Sequence, residues 1–289
     1  MKRYYAGIDL GGTKILSVIT DENRTVVSQD KTNTQPAEGA NVVVENIVNS
    51  VKNAAKKGNI SETCLMGIGI GVPGPVDPLS GMVYDCPNLT GWKNIHIKAI
   101  LEKKFSIPVT VENDARVAGL AEARIGAAKK HSHVFYVTIS TGIGGAIIIN
   151  GEIYHGANGA AGEFGQMKLL DRTVLEQSFS GKAIEKIYGI STTSIPDLLK
   201  QNDTGAKKAL RHIINGLSVY LSNIATLLNP EIIVVGGGVS LLGDILITPL
   251  QKNVREMAFS ISGKNIKVVQ AELGVYSGAL GAVESIFKK

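Results

Sequence analysis

Two rhythms of apolar residues run along this chain. Short runs rich in Val and Ile occupy residues 4–10, 15–20, 64–72, 107–111, 134–139, 146–149, 232–235 and 266–270. Most are bounded by glycine, asparagine, aspartate or proline, which predicts strands. A further strand is expected over 25–29, after a turn at Asp21-Glu22-Asn23. Between these runs the spacing lengthens. Val44, Ile47, Val48 and Val51 recur at helical intervals within 41–57, and Gly58 ends that helix. Leu210, Ile213, Ile214, Leu217, Leu221 and Ile224 do the same within 206–228. Asn229-Pro230 stops this long helix, because the residue before proline disfavours the helical region. Shorter helices are expected over 97–104, 115–125, 195–201 and 278–287. A pair of helices or one broken helix is expected over 172–188, a turn leading into a helix over 236–248, and another helix over 249–259.

Residues 134–166 organise the rest. Two apolar runs flank a glycine turn at Thr141, Gly142, Gly144 and Gly145, and a small-residue segment over 156–162 then delivers Glu163. Glycines at such a turn let successive backbone N–H groups approach an anion, forming a phosphate-sized nest. The first half carries a similar hairpin, with its turn at Gly11-Gly12-Thr13-Lys14 behind Asp9. In each half a later strand runs into glycines, at Gly71 to Gly74 and at Gly236 to Gly238. This is a weak internal repeat in one order. It predicts two similar α/β lobes about a central cleft, with a glycine turn from each lobe meeting the ligand. The expected boundaries are 1–117, with a C-terminal helix over 276–289 packing back on it, and 118–275.

Composition narrows the class. At 289 residues, 44% hydrophobic and 19% charged, the chain can bury a substantial core. Its net charge of +5 comes from scattered lysine pairs, without a run of like charges, and aromatic residues are sparse. A nucleic-acid stripe is poorly supported, whereas a mildly basic balance suits anionic nucleotides. Cys64 and Cys86 are far apart and lack partners at metal-ligand spacing, so neither a disulfide framework nor a zinc site is expected. Cys64 is expected to be a buried core residue, and His131 and His133 to lie on the surface. No apolar run approaches the roughly 18 residues of a membrane span, and the N-terminus lacks a signal-peptide core. A cytoplasmic protein is expected, without nucleic-acid or membrane partners.

Two carboxylates invite chemistry. Asp9 ends a strand before a glycine turn, a place for a Mg²⁺ ligand or for a simple turn cap. Asp114 follows a strand and opens a helix, whose N-terminus favours the ionised form. That suits a general base, and equally a helix cap.

Five motifs then occur in order: Asp-Leu-Gly-Gly-Thr-Lys over 9–14, Gly-Val-Pro-Gly-Pro-Val-Asp over 71–77, Pro-Asn-Leu…Gly-Trp over 87–92, Glu-Asn-Asp-Ala over 112–115, and Thr-Gly-Ile-Gly-Gly…Gly-Ala-Asn-Gly-Ala-Ala-Gly-Glu-Phe-Gly over 141–165. Together they resemble the ROK family of bacterial sugar kinases, such as glucokinase, and related repressors. The resemblance implies an actin-like (RNase H-like) two-lobed ATPase fold, usually dimeric, and ATP-dependent phosphorylation of a hexose, often at its 6-hydroxyl. It implies that Gly11, Gly12, Thr13, Lys14, Thr141, Gly142, Gly144 and Gly145 form the two phosphate-binding loops. Gly237 and Gly238 match the adenosine site, and Asp9 would hold Mg²⁺. Asp114 would be the base, with Asn88, Asn113, Asp114, Glu163 and Glu176 at sugar-binding positions. The family's repressors carry an added N-terminal helix-turn-helix; with a strand starting by Tyr4, the enzyme branch is expected.

The chain departs from the family at one place. Typical members have a histidine two residues after the Glu-X-Gly and then a cysteine cluster that together bind a structural zinc. Here Gln166 and a cysteine-free segment over 167–175 stand instead. No zinc is expected. Because that cluster supports the loop that reads the sugar's anomeric end, Gln166 leaves the sugar open. Glucose leads, with an N-acetylhexosamine or a β-glucoside as alternatives, and a sugar sensor without turnover as the third reading.

Overall fold

The computed structural model describes residues 2–86 and 88–287, so Pro87 of the 87–92 motif and the last two residues of the expected C-terminal helix fall outside it. The chain forms two compact units. The first comprises residues up to Ala121, His155–Ala160, and residues from Val275 on; the second comprises Glu122–Tyr154 and Ala161–Gly274.

In the first unit, β1 (Tyr4–Leu10), β2 (Lys14–Asp21) and β3 (Val26–Asn33) form an antiparallel meander. Helix α1 (Ala40–Lys57) follows and buries Val44, Ile47, Val48 and Val51. Each such side chain contributes about 1.5–3 kcal/mol when fully buried. Strand β4 (Leu65–Val72) is almost wholly buried, as a central parallel strand covered on both faces should be. A small antiparallel sheet comes next, of β5 (Val76–Asp77), β6 (Met82–Asp85) and β7 (Lys93–His96). Helix α2 (Ile97–Phe105) leads to β8 (Val109–Asn113), which passes directly into α3 (Asp114–Arg124). The main sheet has the order β3-β2-β1-β4-β8, with β1, β4 and β8 parallel.

The second unit repeats this plan. Strands β9 (Val134–Ile139), β10 (Ile143–Ile149) and β11 (Glu152–Ile153) form the meander. Helices α4 (Glu176–Phe179), α5 (Gly181–Tyr188), α6 (Ile195–Lys200) and α7 (Thr204–Leu228) precede β12 (Ile232–Gly236). Helices α8 (Asp244–Met257) and α9 (Ser260–Asn265) precede β13 (Lys267–Gln270). The order is β11-β10-β9-β12-β13, with β9, β12 and β13 parallel. The weak repeat of glycine turns is therefore a repeat of sheet topology. Each unit has its own core, around Ile8, Ile68 and Ile70 in the first and around Phe135, Leu217 and Val235 in the second. Finally α10 (Ser277–Ile286) packs on β1, β4 and β8 of the first unit. Among the described residues no helix is long and apolar enough to cross a membrane.

Several expected boundaries move. Strand β3 runs on to Asn33, because pairing with β2 from Lys14 to Thr20 holds its polar half. The helices expected on either side of Pro249 are one helix, α8. Proline inside a helix costs about 3 kcal/mol. Leu246, Leu250 and Val254 bury one continuous stripe across it, which offsets that cost. Helical structure within 172–188 starts only at Glu176 and breaks at Ser180, whose hydroxyl accepts the Ala183 N–H at 3.2 Å to cap α5. Strand β8 extends past Val111 to Asn113. Cys64 is only half-buried and lies in a short turn ahead of β4, so it is not the core residue expected; Cys86 is buried.

Helix α10 lies against its sheet backbone to backbone. A side-chain carbon at Gly69 would collide with the Ala282 carbonyl. Since a backbone cannot swing aside, Gly69→Ala should cost at least about 1–3 kcal/mol. Thermal unfolding followed by circular dichroism should show a lowered midpoint; an unchanged one would mean that α10 is not seated there.

Candidate active site

Parallel strands that end together present their following loops on one edge, and ligands of open α/β sheets bind at such carboxyl ends. In the first unit the register pairs Asp9 with Gly71 and Gly71 with Glu112. The residues after this row are the expected ones. Gly11 and Gly12 turn between β1 and β2, with the Gly11 N–H donating to the Lys14 carbonyl at 2.9 Å. Thr34 holds the turn from behind: its hydroxyl donates to the Gly11 carbonyl at 2.7 Å and its N–H to the Thr13 carbonyl at 2.9 Å. Lys14, expected in the turn, is the first residue of β2 and is exposed, as is Thr13. Asn88 stands over Gly12, its Cβ 3.4 Å from where a side chain at Gly12 would begin. Its loop is anchored by Cys86, Leu89 and Trp92, all buried, with the Cys86 N–H donating to the Trp92 carbonyl at 3.0 Å.

The Glu-Asn-Asp motif divides its labour. Asn113 is the helix cap: its Oδ1 accepts N–H groups from Ala115 at 3.0 Å and Arg116 at 3.2 Å, and its Nδ2 donates to the Gly74 carbonyl at 3.2 Å. One N–H of that amide remains for a ligand. Asp114 opens α3, with its Oδ1 accepting the Ala115 N–H at 2.7 Å. Glu112 is buried and serves as an anchor. Its Oε1 accepts the Asn113 N–H at 2.8 Å and meets Arg116 Nη1 at 3.4 Å; its Oε2 lies 2.5 Å from His155 Nε2. Arg116 was not expected here, and the sequence had left open whether His155 or Cys86 lies near the site. The only sequence trace of this cluster is a carboxylate at the end of an apolar strand. Cys86 also belongs to the neighbourhood. Burial, and then the negative charges of Asp114 and Asp85, push its thiol up to about 11, so it stays protonated and unreactive.

Asp9 has a different environment. Burial raises its pKa to about 6, and no donor among the described residues reaches its carboxylate. A side-chain carbon at Gly278 would sit 2.6 Å from its Cγ, so the start of α10 closes on it. A desolvated carboxylate without a protein partner fits a hydrated Mg²⁺ arriving with a nucleotide, since Mg²⁺ retains waters and takes few carboxylates.

In the second unit the corresponding edge lies after β9 and β12, where Thr138 pairs with Gly236. The turn is Ser140, Thr141 and Gly142 alone. Gly144 and Gly145 belong to β10, paired with Thr138 and Val137. Gly145 is glycine because the Gly162 carbonyl and Phe164 press on it, so its reason is packing. Gly237 lies at φ 79° against the backbone of Ile139, and Gly238 faces the Ser140 hydroxyl. The two glycine elements therefore sit side by side. Glu176 comes to the same turn, its Oε2 accepting the Ile143 N–H at 2.7 Å. Glu163 and Gln166 flank the buried Phe164, and both are exposed.

Residues 167–175, where the family's cysteine cluster would stand, form a tight ribbon. Lys168 bridges Val174, the Leu175 N–H donates to the Met167 carbonyl at 2.8 Å, and Asp171 Oδ1 accepts from the Thr173 N–H and hydroxyl at 2.9 and 2.6 Å. Leu175 is fully buried at its base. Among the described residues no group of three or more His, Cys, Asp and Glu is placed to hold a metal ion.

Asp9 makes stability depend on pH with a definite sign. Its folded pKa of about 6 exceeds its ordinary value of 3.8, so ionisation opposes folding. The penalty is absent below about pH 4 and complete above about pH 6, where two units correspond to about 3 kcal/mol. Asp9→Asn should therefore unfold at a higher temperature than the parent at pH 7.5, with the gap closing as pH falls through 6 toward 4. A gap independent of pH would show that Asp9 is not held ionised in a desolvated place.

Comparison with known proteins identifies the family and the fold. The ROK family model matches residues 5–289. A glucokinase of Halalkalibacterium halodurans is 30% identical, over 96% of this chain and 93% of that protein. The xylose repressor of Bacillus subtilis is 29% identical, over 96% of this chain and 75% of the repressor. The structure is similar to that of a ROK family glucokinase from Streptomyces griseus in complex with glucose and AMPPNP, at 29% identity and a TM-score of 0.83 over 99% of both chains. The fold is that of the actin-like ATPases, and the chain belongs to the ROK family.

Proposed function

We propose that this protein is an ATP-dependent sugar kinase that phosphorylates a hexose hydroxyl, the 6-hydroxyl of glucose being the leading case. The observation that carries the reading is the row Asp9, Gly71 and Glu112, which places a glycine turn, Asn88, Asn113 and Asp114 on one strand edge. The identity to a glucokinase over nearly the whole chain supports it.

Asp114 would accept the proton of the attacking hydroxyl. The hydroxyl oxygen then bonds to the γ-phosphorus as the bond to the β-bridging oxygen breaks, releasing ADP. General-base help of this kind contributes typically about 10²–10⁴-fold. The Gly11-Gly12-Thr13-Lys14 and Thr141-Gly142 turns would orient the phosphates, Gly237 and Gly238 would make room for the adenosine, and Asp9 would hold the waters of Mg²⁺. Positioning and charge supply most of the rate in phosphoryl transfer. Asn88, Asn113, Glu163, Gln166 and Glu176 would hold the sugar, since an unpaired polar group in a closed site costs about 1–3 kcal/mol. Glutamine at 166, beside a ribbon in place of a metal cluster, is compatible with an N-acetylhexosamine or a β-glucoside as well. The repressor relative supplies the second reading, a sugar sensor without turnover.

ADP release with Mg-ATP over glucose, mannose, fructose, allose, N-acetylglucosamine, N-acetylmannosamine and cellobiose separates these readings. Turnover on one sugar is expected, and silence on all with nucleotide bound would favour the sensor. Asp114→Asn should lower turnover at least about 10²-fold while sparing sugar binding; retained turnover would remove Asp114 from the base role. Elemental analysis of the purified protein should find no stoichiometric zinc, and EDTA should leave its unfolding temperature unchanged. Zinc at one per chain would overturn the metal-free reading of residues 167–175.

A further inference from the structure

Glu176 matches a sugar-binding position of the family, yet its carboxylate is fastened to the other side of the chemistry. Its Oε2 accepts the Ile143 N–H at 2.7 Å. Ile143 is the first residue after the Ser140–Gly142 turn, and its side chain is buried in the second unit's core. A side-chain carbon at Gly142 would collide with the same Oε2. The turn therefore carries glycine at 142 to admit a carboxylate from α4. Three contacts then fix the turn. The Ser140 N–H donates to the Gly142 carbonyl at 2.8 Å, the Gly181 N–H donates to the Ser140 carbonyl at 2.7 Å, and Glu176 holds the Ile143 N–H. Two of the three come from one short segment, 176–181, which also holds the Ser180 cap of α5.

We propose that Glu176 is a positioning residue for the nucleotide phosphates, acting through the Thr141–Gly142 turn, and that it links the sugar site to the phosphate site through its two oxygens. This rests on the reading that the turn receives phosphate. A charge-assisted hydrogen bond to a backbone N–H is among the stronger local constraints, and removing the acceptor leaves that N–H unpaired at the edge of a core. Oε1 has no hydrogen-bond partner among the described residues. It is the oxygen left to meet a sugar hydroxyl.

The test uses the full chain and two separate readouts: calorimetric titration with the non-hydrolysable analogue AMPPNP and Mg²⁺ without sugar, and KM for ATP against KM for the phosphorylated sugar. Glu176→Ala should weaken AMPPNP about tenfold and raise the KM for ATP alongside that for sugar. Glu176→Gln keeps an oxygen that accepts from Ile143, so it should restore most of the nucleotide affinity. Gly142→Ala should displace the carboxylate and weaken AMPPNP similarly, and the Gly142→Ala, Glu176→Ala double variant should bind no worse than either single variant, because both remove one contact. Circular dichroism identifies any variant that fails to fold, and the remaining ones decide. Parent-like AMPPNP affinity in Glu176→Ala, with only the sugar KM raised, would overturn the proposal and leave the kinase reading intact. Failure of the parent itself to bind AMPPNP would overturn both.

Discussion

Hydrogen-bond register between β1, β4 and β8 sets Asp9, Gly71 and Glu112 in one row, and the loops that follow these strands take their places from that row. Parallel strands in register end at one height. Their loops then share an edge. Asp9 leads into the glycine turn, Gly71 into the loop whose Gly74 carbonyl receives Asn113, and Glu112 into Asn113 and Asp114. Sliding any of these strands by one residue would turn its side chains to the opposite face.

The row also explains an uneven distribution of charge. Glu112 is buried but shared among Arg116, His155 and the Asn113 N–H, so its charge is balanced within the fold. Losing one partner of such a buried pair typically costs about 3–5 kcal/mol. Asp9, two strands away in the same sheet, is desolvated with no donor among the described residues, and its pKa rises accordingly. One carboxylate is structural and satisfied; the other is kept short of partners that a hydrated cation can supply. That contrast separates a satisfied anchor from a desolvated carboxylate more firmly than either residue's place in the sequence.

The second unit repeats the plan with different fastenings. Its turn is held from α4 and α5 by Glu176 and Gly181, whereas Thr34 holds the first unit's turn. Repeated topology thus fixes where a turn falls, and unrelated side chains fix how it is held. The ribbon over 167–175 belongs to the same logic. An aspartate turn and a buried leucine close it, and its ends meet where the Leu175 N–H donates to the Met167 carbonyl.

Hydrophobic spacing alone placed most helices and strands and ordered the glycine turns, because both depend on local periodicity. The five motifs together were enough to indicate the family. Boundaries set by pairing were not legible: β3 extends through polar residues because β2 pairs with them, and α8 crosses Pro249 because its buried stripe continues. Nor could sequence say why its glycines are glycine. Gly142 and Gly145 were read as turn residues; one makes room for Glu176 and the other for Gly162 and Phe164. His155 on Glu112 and Glu176 on Ile143 join positions 43 and 33 residues apart. Such contacts are decided by which strand ends the sheet brings together, and no local pattern records them.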